Sequence, residues 1–259
     1  MKKLKSPIKY YGGKSGMLDI IKSHFPKSFS TYVEGFGGGA SLLLSMQPSP
    51  IEIYNDLGKN VYSLFKVISD PVSMKHLYER LCLTPYSAQL REEYRQALKN
   101  DLDLEDRAYY YFYVNRTSFN GVGGFSQNLI VRRNMPKSVS DYLSAIEKLP
   151  EVHQRLSKVI IEHRDILDLL DKYNSPETFI YLDPPYVHST RKSGTAYEVE
   201  MEDSEHVALI NRLLDFKSKV LISGYDHPIY TTLSNNWNKI SFPSPNTGSK
   251  ETETLWMNY

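Results

Sequence analysis

The chain has 259 residues, enough for one sizeable α/β core plus an inserted module. Its 31 Lys+Arg nearly balance its 30 Asp+Glu, so any nucleic-acid surface is local rather than global. Cys82 is the single cysteine, which excludes an intramolecular disulfide and a zinc site built on several thiolates, and no apolar run reaches membrane-spanning length.

The N-terminus is basic. Residues 1–30 carry seven lysines against one acid, Asp19, yet no apolar h-region follows, so no signal peptide is expected and the chain reads as a soluble, cytoplasmic protein. Residues 8–16, Ile-Lys-Tyr-Tyr-Gly-Gly-Lys-Ser-Gly, form a glycine-bearing loop before a helical pattern over Met17–His24. The loop is either a simple turn or a lysine with aromatics set beside an anionic ligand. A strand over Ser30–Glu34 runs into Gly35-Phe36-Gly37-Gly38-Gly39-Ala40 and a helix from Ser41. Glycines between strand and helix let backbone approach a ligand closely. A second strand, Ile51–Tyr54, leads to Asn55-Asp56, an acid placed to bind ribose hydroxyls. This pair of features fits a nicotinamide dinucleotide as well as S-adenosylmethionine.

From residue 57 to about 157 the alternation stops. Helices are expected over Asn60–Ser69, Val72–Leu83, Ser87–Lys99, Glu105–Ser118 and Ser140–Ser157, with Cys82 a buried small apolar residue in the second of them. The cluster Tyr109–Tyr113 is expected in the core of this block. Between the last two helices, Asn120–Lys137 is glycine-rich and carries a β-ribbon signal around Asn128–Val131; residues 116–140 hold Arg116, Arg132, Arg133 and Lys137 with no acid. The pattern predicts an α/β domain from 1–57 and 158–259 and a separate helical module from 58–157.

The α/β pattern resumes with a strand over Lys158–Glu162, then Asp165 and a helix over Ile166–Tyr173. Asp165 reads equally as an N-cap or as a cofactor contact. Next comes the most informative stretch, Phe179-Ile180-Tyr181-Leu182-Asp183-Pro184-Pro185-Tyr186. The prolines end the strand at the sheet edge where ligands of open α/β sheets bind, and their backbone offers acceptors only. Asp183 and this backbone can accept both hydrogens of an in-plane amino group while Tyr186 stacks on the ring. Such acceptors favour pyramidalisation of an aromatic amine and free its lone pair. A polar loop, His188–Glu200, is expected to be mobile and to close over substrate. A helix (Ser204–Phe216), a strand (Lys219–Ser223), a helical turn (Pro228–Ser234) and two strands (Lys239–Phe242, Thr252–Asn258) complete the chain.

These motifs together resemble the Dam-type, class α DNA adenine-N6 methyltransferases over essentially the whole chain. Lys-Tyr-Tyr-Gly-Gly-Lys (9–14) is similar to the family's N-terminal Lys-Trp-Ala-Gly-Gly-Lys element. Val-Glu-Gly-Phe-Gly-Gly-Gly-Ala-Ser (33–41) is similar to its cofactor loop, and Tyr-Asn-Asp (54–56) and Asp183–Tyr186 match its second-strand acid and catalytic tetrapeptide. The resemblance implies a Rossmann-like methyltransferase sheet, S-adenosylmethionine as methyl donor, no metal, and methylation of adenine N6 in double-stranded DNA at a short site. It places Tyr10, Lys14 (through the methionine carboxylate), Glu34, Phe36, Gly37, Gly39, Asp56, Asp165 and Asp183 at the donor. Asp183, Pro184, Pro185 and Tyr186 would hold a flipped adenine.

Within the insertion, Tyr-Val-Asn-Arg-Thr-Ser-Phe-Asn-Gly (113–121) looks like the family's recognition segment. By motif position Arg116 meets phosphate, Phe119 and Asn120 fill the space left by the flipped base, and Lys9 lies near a base. GATC-specific members follow the Asn-Gly with a guanine-reading arginine, whereas this chain has Val122-Gly123-Gly124-Phe125, so GATC specificity is not implied: Arg132 or Arg133 reads a base instead, or the site differs or is relaxed. Gly35 stands where the family commonly has proline and is expected to leave the loop more flexible. A cytoplasmic protein of bacterial or phage origin, monomeric without DNA, is expected. The alternatives are cytosine-N4 or RNA adenine methylation, a nicotinamide-dependent dehydrogenase, and a DNA-binding protein that has lost catalysis.

Overall fold

The computed structural model describes residues 4–10, 12–14, 16–187, 189, 198–243 and 252–259. The expected mobile loop His188–Glu200 lies largely outside these. The chain divides into two compact units. A sheet unit comprises Lys14–Gly37, Met46–Leu57 and Glu162–Tyr259; a helical unit comprises Met1–Gly13, Gly38–Ser45 and Gly58–Ile161. The described N-terminal residues and 38–45, expected with the α/β domain, thus cluster with the helices. Local bonding accounts for this: Lys9 N–H donates to Asn115 Oδ1 at 2.9 Å, Asn115 Nδ2 returns a bond to the Lys9 carbonyl at 2.8 Å, and Arg155 Nη2 donates to the Leu43 carbonyl at 3.0 Å.

Among the described residues the sheet has seven strands: β1 (Thr31–Glu34), β2 (Ile51–Asn55), β5 (Ile160–Glu162), β6 (Thr178–Leu182), β7 (Lys219–Tyr225), β8 (Asn238–Pro243) and β9 (Thr252–Met257), in the order β5-β2-β1-β6-β7-β9-β8. β1, β2, β6 and β7 are mutually parallel, while β9 runs antiparallel between β7 and β8. This is a Rossmann-like methyltransferase sheet. Every residue of β6 is buried, as expected of a central parallel strand covered on both faces. One face (Val33, Ile53, Ile180, Leu182, Ile222) packs under α9 (Ile166–Tyr173), α10 (Asp203–Leu213) and α11 (Thr231–Asn236). The other carries Tyr32 and Phe179 against Phe25 and Phe29, next to α1 (Leu18–Ser23).

In the helical unit α6 (Leu104–Thr117) packs against α3 (Lys59–Ser69), α4 (Pro71–Cys82), α5 (Ala88–Ala97) and α7 (Lys137–Glu147). Caps set the helix starts: Asp70 accepts from Val72 and Ser73 N–H ahead of Pro71, Ser87 from Leu90, and Asp103 from Asp106. Tyr109, Phe112 and Tyr113 are buried, as expected of a core cluster. Two expectations fail. The single helix over Ser140–Ser157 is two, α7 and α8 (Leu149–Leu156), because Pro150 cannot donate to a continuing helix and instead starts a new one. Cys82 is exposed, because it ends α4 on the face away from Met74, Leu77 and Leu81. A short helix α2 (Ser41–Ser45) and a two-stranded ribbon, β3 (Val131–Arg132) with β4 (Met135–Pro136), complete this unit. The regular pairing of the ribbon is short, but cross-chain bonds continue back to Asn128: Lys137 N–H donates to the Ile130 carbonyl at 2.7 Å and Ser138 N–H to the Asn128 carbonyl at 3.3 Å, while Asn128 Oδ1 accepts from Ile130 N–H at 3.1 Å.

Candidate active site and target-recognition loop

Parallel β1, β2, β6 and β7 end on one edge of the sheet, so Glu34, Asn55-Asp56, Asp183 and Tyr225 gather there. Asp183 leaves β6 20 % exposed, its Oδ1 held by Lys14 Nζ at 2.9 Å and by Ser223 Oγ–H at 2.8 Å. Tyr181, whose hydroxyl lies 2.8 Å from Ser223 Oγ, closes this chain from beneath. Among the described residues nothing bonds Asp183 Oδ2, which leaves one carboxylate oxygen as an acceptor for a ligand. Burial raises the Asp183 carboxyl above the ordinary aspartate range, and the Lys14 charge opposes that rise. Burial would lower the Lys14 ammonium, but Asp183 and Glu253 outweigh it and hold Lys14 protonated well above the usual lysine value.

Lys14 also donates to the Tyr186 hydroxyl, which donates in turn to Glu253 Oε1 at 2.5 Å. The Lys14 ammonium is thus engaged by Asp183, Tyr186 and Glu253. Tyr186 stacks on Tyr225, with ring centroids 4.1 Å apart and planes 5° from parallel. One ring face is therefore covered by a residue that the sequence did not single out. Pro184, Tyr186, Val187, Gly224, Tyr225 and Tyr230 line a small recess beside this stack.

At the ends of β1 and β2 the backbone forms a tight cradle. Gly37 N–H donates to the Asn55 carbonyl at 2.8 Å, and a Cβ at Gly37 would fall inside the Tyr54 ring. Only glycine fits there. Gly35 is not the loose point expected: its N–H donates to the Tyr181 carbonyl at 3.0 Å and its carbonyl accepts from Asn55 Nδ2 at 3.0 Å. A proline could not make the first of these bonds. Asn55 continues to Arg164, bonding its N–H and carbonyl at 2.9 and 3.1 Å. Glu34 is 3 % exposed and accepts from the Tyr32 hydroxyl at 2.9 Å, Asp56 is buried, and Phe36 packs at the rim of the core. Asp165 is exposed and caps α9, its Oδ1 accepting from Leu167 N–H at 2.8 Å. Tyr10 and Gly39 belong to the helical unit, where a Cβ on Gly39 would meet Tyr10 Cβ at 3.0 Å.

The helical unit holds all six residues expected at DNA. Phe119, in a 3-10 turn over Phe119–Gly121, is 64 % exposed. Asn120 is exposed with φ +50, a left-handed conformation that asparagine tolerates. The loop beneath them is stiff: Phe119 N–H donates to Gly124 at 2.8 Å, Gly123 N–H to Phe119 at 2.9 Å, and Ser126 N–H to Thr117 at 2.8 Å. Arg91, buried in α5, pins it with Nε on Ser118 Oγ at 2.9 Å and Nη2 on the Gly123 carbonyl at 2.5 Å. Gly121 has φ +85, and a Cβ there would strike the Lys9 carbonyl and lie 2.9 Å from Asn115 Nδ2.

Lys9 and Arg116 are not at the surface tip. Lys9 Nζ donates to the Ser118 carbonyl at 2.9 Å, and burial, then Arg116, depresses its ammonium. Arg116 Nη2 donates to the Asp141 carbonyl at 2.9 Å, and burial lowers the guanidinium. Arg132 and Arg133 are exposed on the ribbon and pair with Asp141 and Glu147 at 2.9 and 2.8 Å. Arg133 and Asn134 have φ +54 and +61, the geometry of a two-residue primed turn. Leu129, Ile130 and Val131, leading into the ribbon, are 78, 67 and 74 % exposed. Residue type alone could not mark Ser223, Glu253, Tyr225, Arg91 or Asn115; the available signal was a polar or charged residue inside an otherwise apolar strand or helix face.

Residues 10–246 match the family of D12 class N6 adenine-specific DNA methyltransferases. The chain is 27% identical over 242 residues to the type II methyltransferase M.MjaIII of Methanocaldococcus jannaschii, covering 83% of this chain and 82% of that protein. It is 27% identical over 246 residues to the DNA adenine methylase of Escherichia coli K12, covering 92% and 85%. To the type II methyltransferase M.CviBI of Paramecium bursaria Chlorella virus NC1A it is 24% identical over 226 residues, covering 85% and 82%. With an Asp-Pro-Pro-Tyr edge beside a glycine cradle and a match over most of its length, the chain belongs to the D12 class of N6 adenine-specific DNA methyltransferases.

Proposed function

We propose that this adenine-N6 methyltransferase acts on double-stranded DNA at a short site, and that Asp183 with the following backbone carbonyls grips the amino group of an adenine flipped out of the duplex. The observation that carries this reading is the asymmetry of Asp183. Lys14 and Ser223 fix Oδ1, while Oδ2 is left at the sheet edge. An oriented acceptor there stabilises positive charge as it develops on N6, without reorganisation during the reaction. Flipping costs a few kcal/mol, roughly, and stacking on Tyr186 offsets ~1–3 kcal/mol of it. Tyr225 stacks on Tyr186 and the Lys14 ammonium lies 4.5 Å from the ring centroid, so a base that stacks on Tyr186 does so by displacing a neighbour such as Tyr225.

The edge fits S-adenosylmethionine. The Gly37 cradle admits close backbone approach, and buried Glu34 and Asp56 offer carboxylates to a sulfonium-bearing nucleoside. When bound, that group supplies an electrophilic methyl. In this reading Glu34, Phe36 and Gly37 hold its amino-acid portion, Asp56 its ribose, and Asp165 approaches its adenine. Lys14 acts on Asp183 and Tyr186 instead of on the donor. Among the described residues no group of three or more His, Cys, Asp or Glu is arranged to hold a metal ion.

On the helical unit, Phe119 and Asn120 sit on a rigid loop suited to replacing the extruded base in the stack. The ribbon carries two exposed arginines and exposed apolar side chains suited to a groove. We assign base reading to Arg132 or Arg133; Lys9 and Arg116 brace the loop. No described helix is long and apolar enough to cross a membrane. A cytoplasmic, monomeric enzyme of bacterial or phage origin is the setting we propose. In the decisive experiment, Asp183→Ala keeps donor and DNA affinity while turnover falls roughly a hundredfold or more. Wild-type turnover in that variant would remove Asp183 from the mechanism. Methylation-sensitive sequencing of DNA from cells expressing the protein reports base and site together.

A further inference from the structure

We propose that Glu253 is a positioning residue for methyl transfer: it shares the Lys14 ammonium with Asp183 and fixes the Tyr186 hydroxyl, so that the catalytic carboxylate stays a strong acceptor. The proposal rests on the reading of Asp183 given above. β9 is antiparallel to β7, so the start of β9 lies at the carboxyl edge of the parallel strands, with Glu253 opposite Tyr225 on β7 and Phe242 on β8. Strand direction thus brings a residue near the C-terminus to the tetrapeptide.

Glu253 is 3 % exposed, and its Oε1 takes the Tyr186 hydroxyl at 2.5 Å and Lys14 Nζ at 3.3 Å. Its Oε2 is buried with no hydrogen-bond partner among the described residues. A carboxylate kept in that state is unfavourable for stability alone, and a neutral residue of the same size would remove the penalty. Its charge has a use here. Lys14 paired with Asp183 alone would draw electron density from the oxygen that must accept from N6. Shared between two carboxylates, Lys14 orients Asp183 and weakens it less. Two carboxylates against one ammonium also leave net negative charge where the amine becomes positive. The ionisable groups around Glu253 are Lys14 and Tyr186, which it bonds, Tyr225 opposite it on β7, and Asp183 across the Lys14 ammonium. Consistent with this geometry, Glu253 pushes the Asp183 carboxyl up while Lys14 pulls it down.

The test is Glu253→Gln in the full chain, which keeps an acceptor for Tyr186 and the same volume but removes the charge. We expect turnover to fall about tenfold or more with the donor KM within about threefold. The acid limb of the turnover–pH profile moves to lower pH, because Lys14 then acts on Asp183 unopposed. A purely structural role would leave that limb in place. Wild-type turnover with an unmoved limb overturns the proposal. Should thermal melting show Glu253→Gln unfolded, Tyr186→Phe decides: it removes the hydroxyl and no charge, so the limb stays put. A limb displaced by Tyr186→Phe would overturn charge sharing. Asp183→Ala run in parallel separates the failures. If Asp183→Ala is inactive and Glu253→Gln is unaltered, only the Glu253 inference falls; if Asp183→Ala turns over normally, both fall.

Discussion

The proposed catalytic edge of the sheet unit and the proposed recognition loop of the helical unit are built on opposite plans. Around Asp183 the polar groups are buried and held by other side chains: Lys14 and Glu253 are 5 and 3 % exposed, and Ser223 is fully buried. Around Phe119 the working groups stand in solvent, and the stiffness comes from backbone bonds and from Arg91 beneath them. The first plan suits chemistry, because fixed charges act most strongly where water is excluded. The second suits recognition, because a side chain that must enter a base stack cannot be tied down in the free protein.

That contrast can be broken at its most buried point. Lys14→Met leaves Asp183 and Glu253 without their shared cation and should cost roughly 3–5 kcal/mol in urea unfolding at neutral pH. Folding raises the Lys14 value, so its stabilisation is complete below the free lysine value and lost only as pH rises through the folded one. The difference from wild type should therefore persist across neutral pH and close only in strong alkali. Lys14 also holds the Asp183 carboxyl down, so the acid limb of turnover should move to higher pH in this variant. An unmoved limb would show that Lys14 does not act on Asp183.

Gly121→Val places a β-branched residue at φ +85 against the Lys9 carbonyl. A loss of order 1–3 kcal/mol is expected, together with weakened DNA binding and unchanged donor affinity in calorimetry. Equal loss of both ligands would mean that the loop is not an independent recognition device. Phe119→Ala should sharpen the contrast. Its ring is exposed, so stability stays within about ±0.5 kcal/mol, while the fluorescence rise of 2-aminopurine at the target position is reduced. Smallest is Arg132→Gln, an exposed ion pair whose loss leaves melting unchanged. It should relax preference at one base pair if Arg132 reads a base, or flatten the salt slope by about one if it meets phosphate.

Much of the fold was legible because strands and caps leave local marks. The run Phe179–Leu182 before two prolines is β6, and Asp70, Ser87 and Asp103 start helices as capping residues do. The break at Pro150 was legible in principle and outweighed by the apolar periodicity around it. The exposure of Cys82 was not, since the face of α4 that its neighbours bury depends on what α4 packs against. Around Asn128 the expected ribbon is joined by single backbone bonds rather than a regular ladder, because the Asn128 side chain takes the Ile130 N–H.

For the proposed site, the sequence by itself determined the candidate parts: the Asp183–Tyr186 tetrapeptide after a strand, the glycine loop, Asp56, and the Phe119-Asn120 pair. Each is a short run whose meaning lies in adjacent residues. Only the tertiary structure decided how those parts are held. Lys14 meets Tyr186 across 172 positions, Tyr186 meets Glu253 across 67, and Asp183 meets Ser223 across 40. Such partnerships follow from strand order and direction, which place an antiparallel β9 beside β7, and no local pattern around Glu253 encodes them.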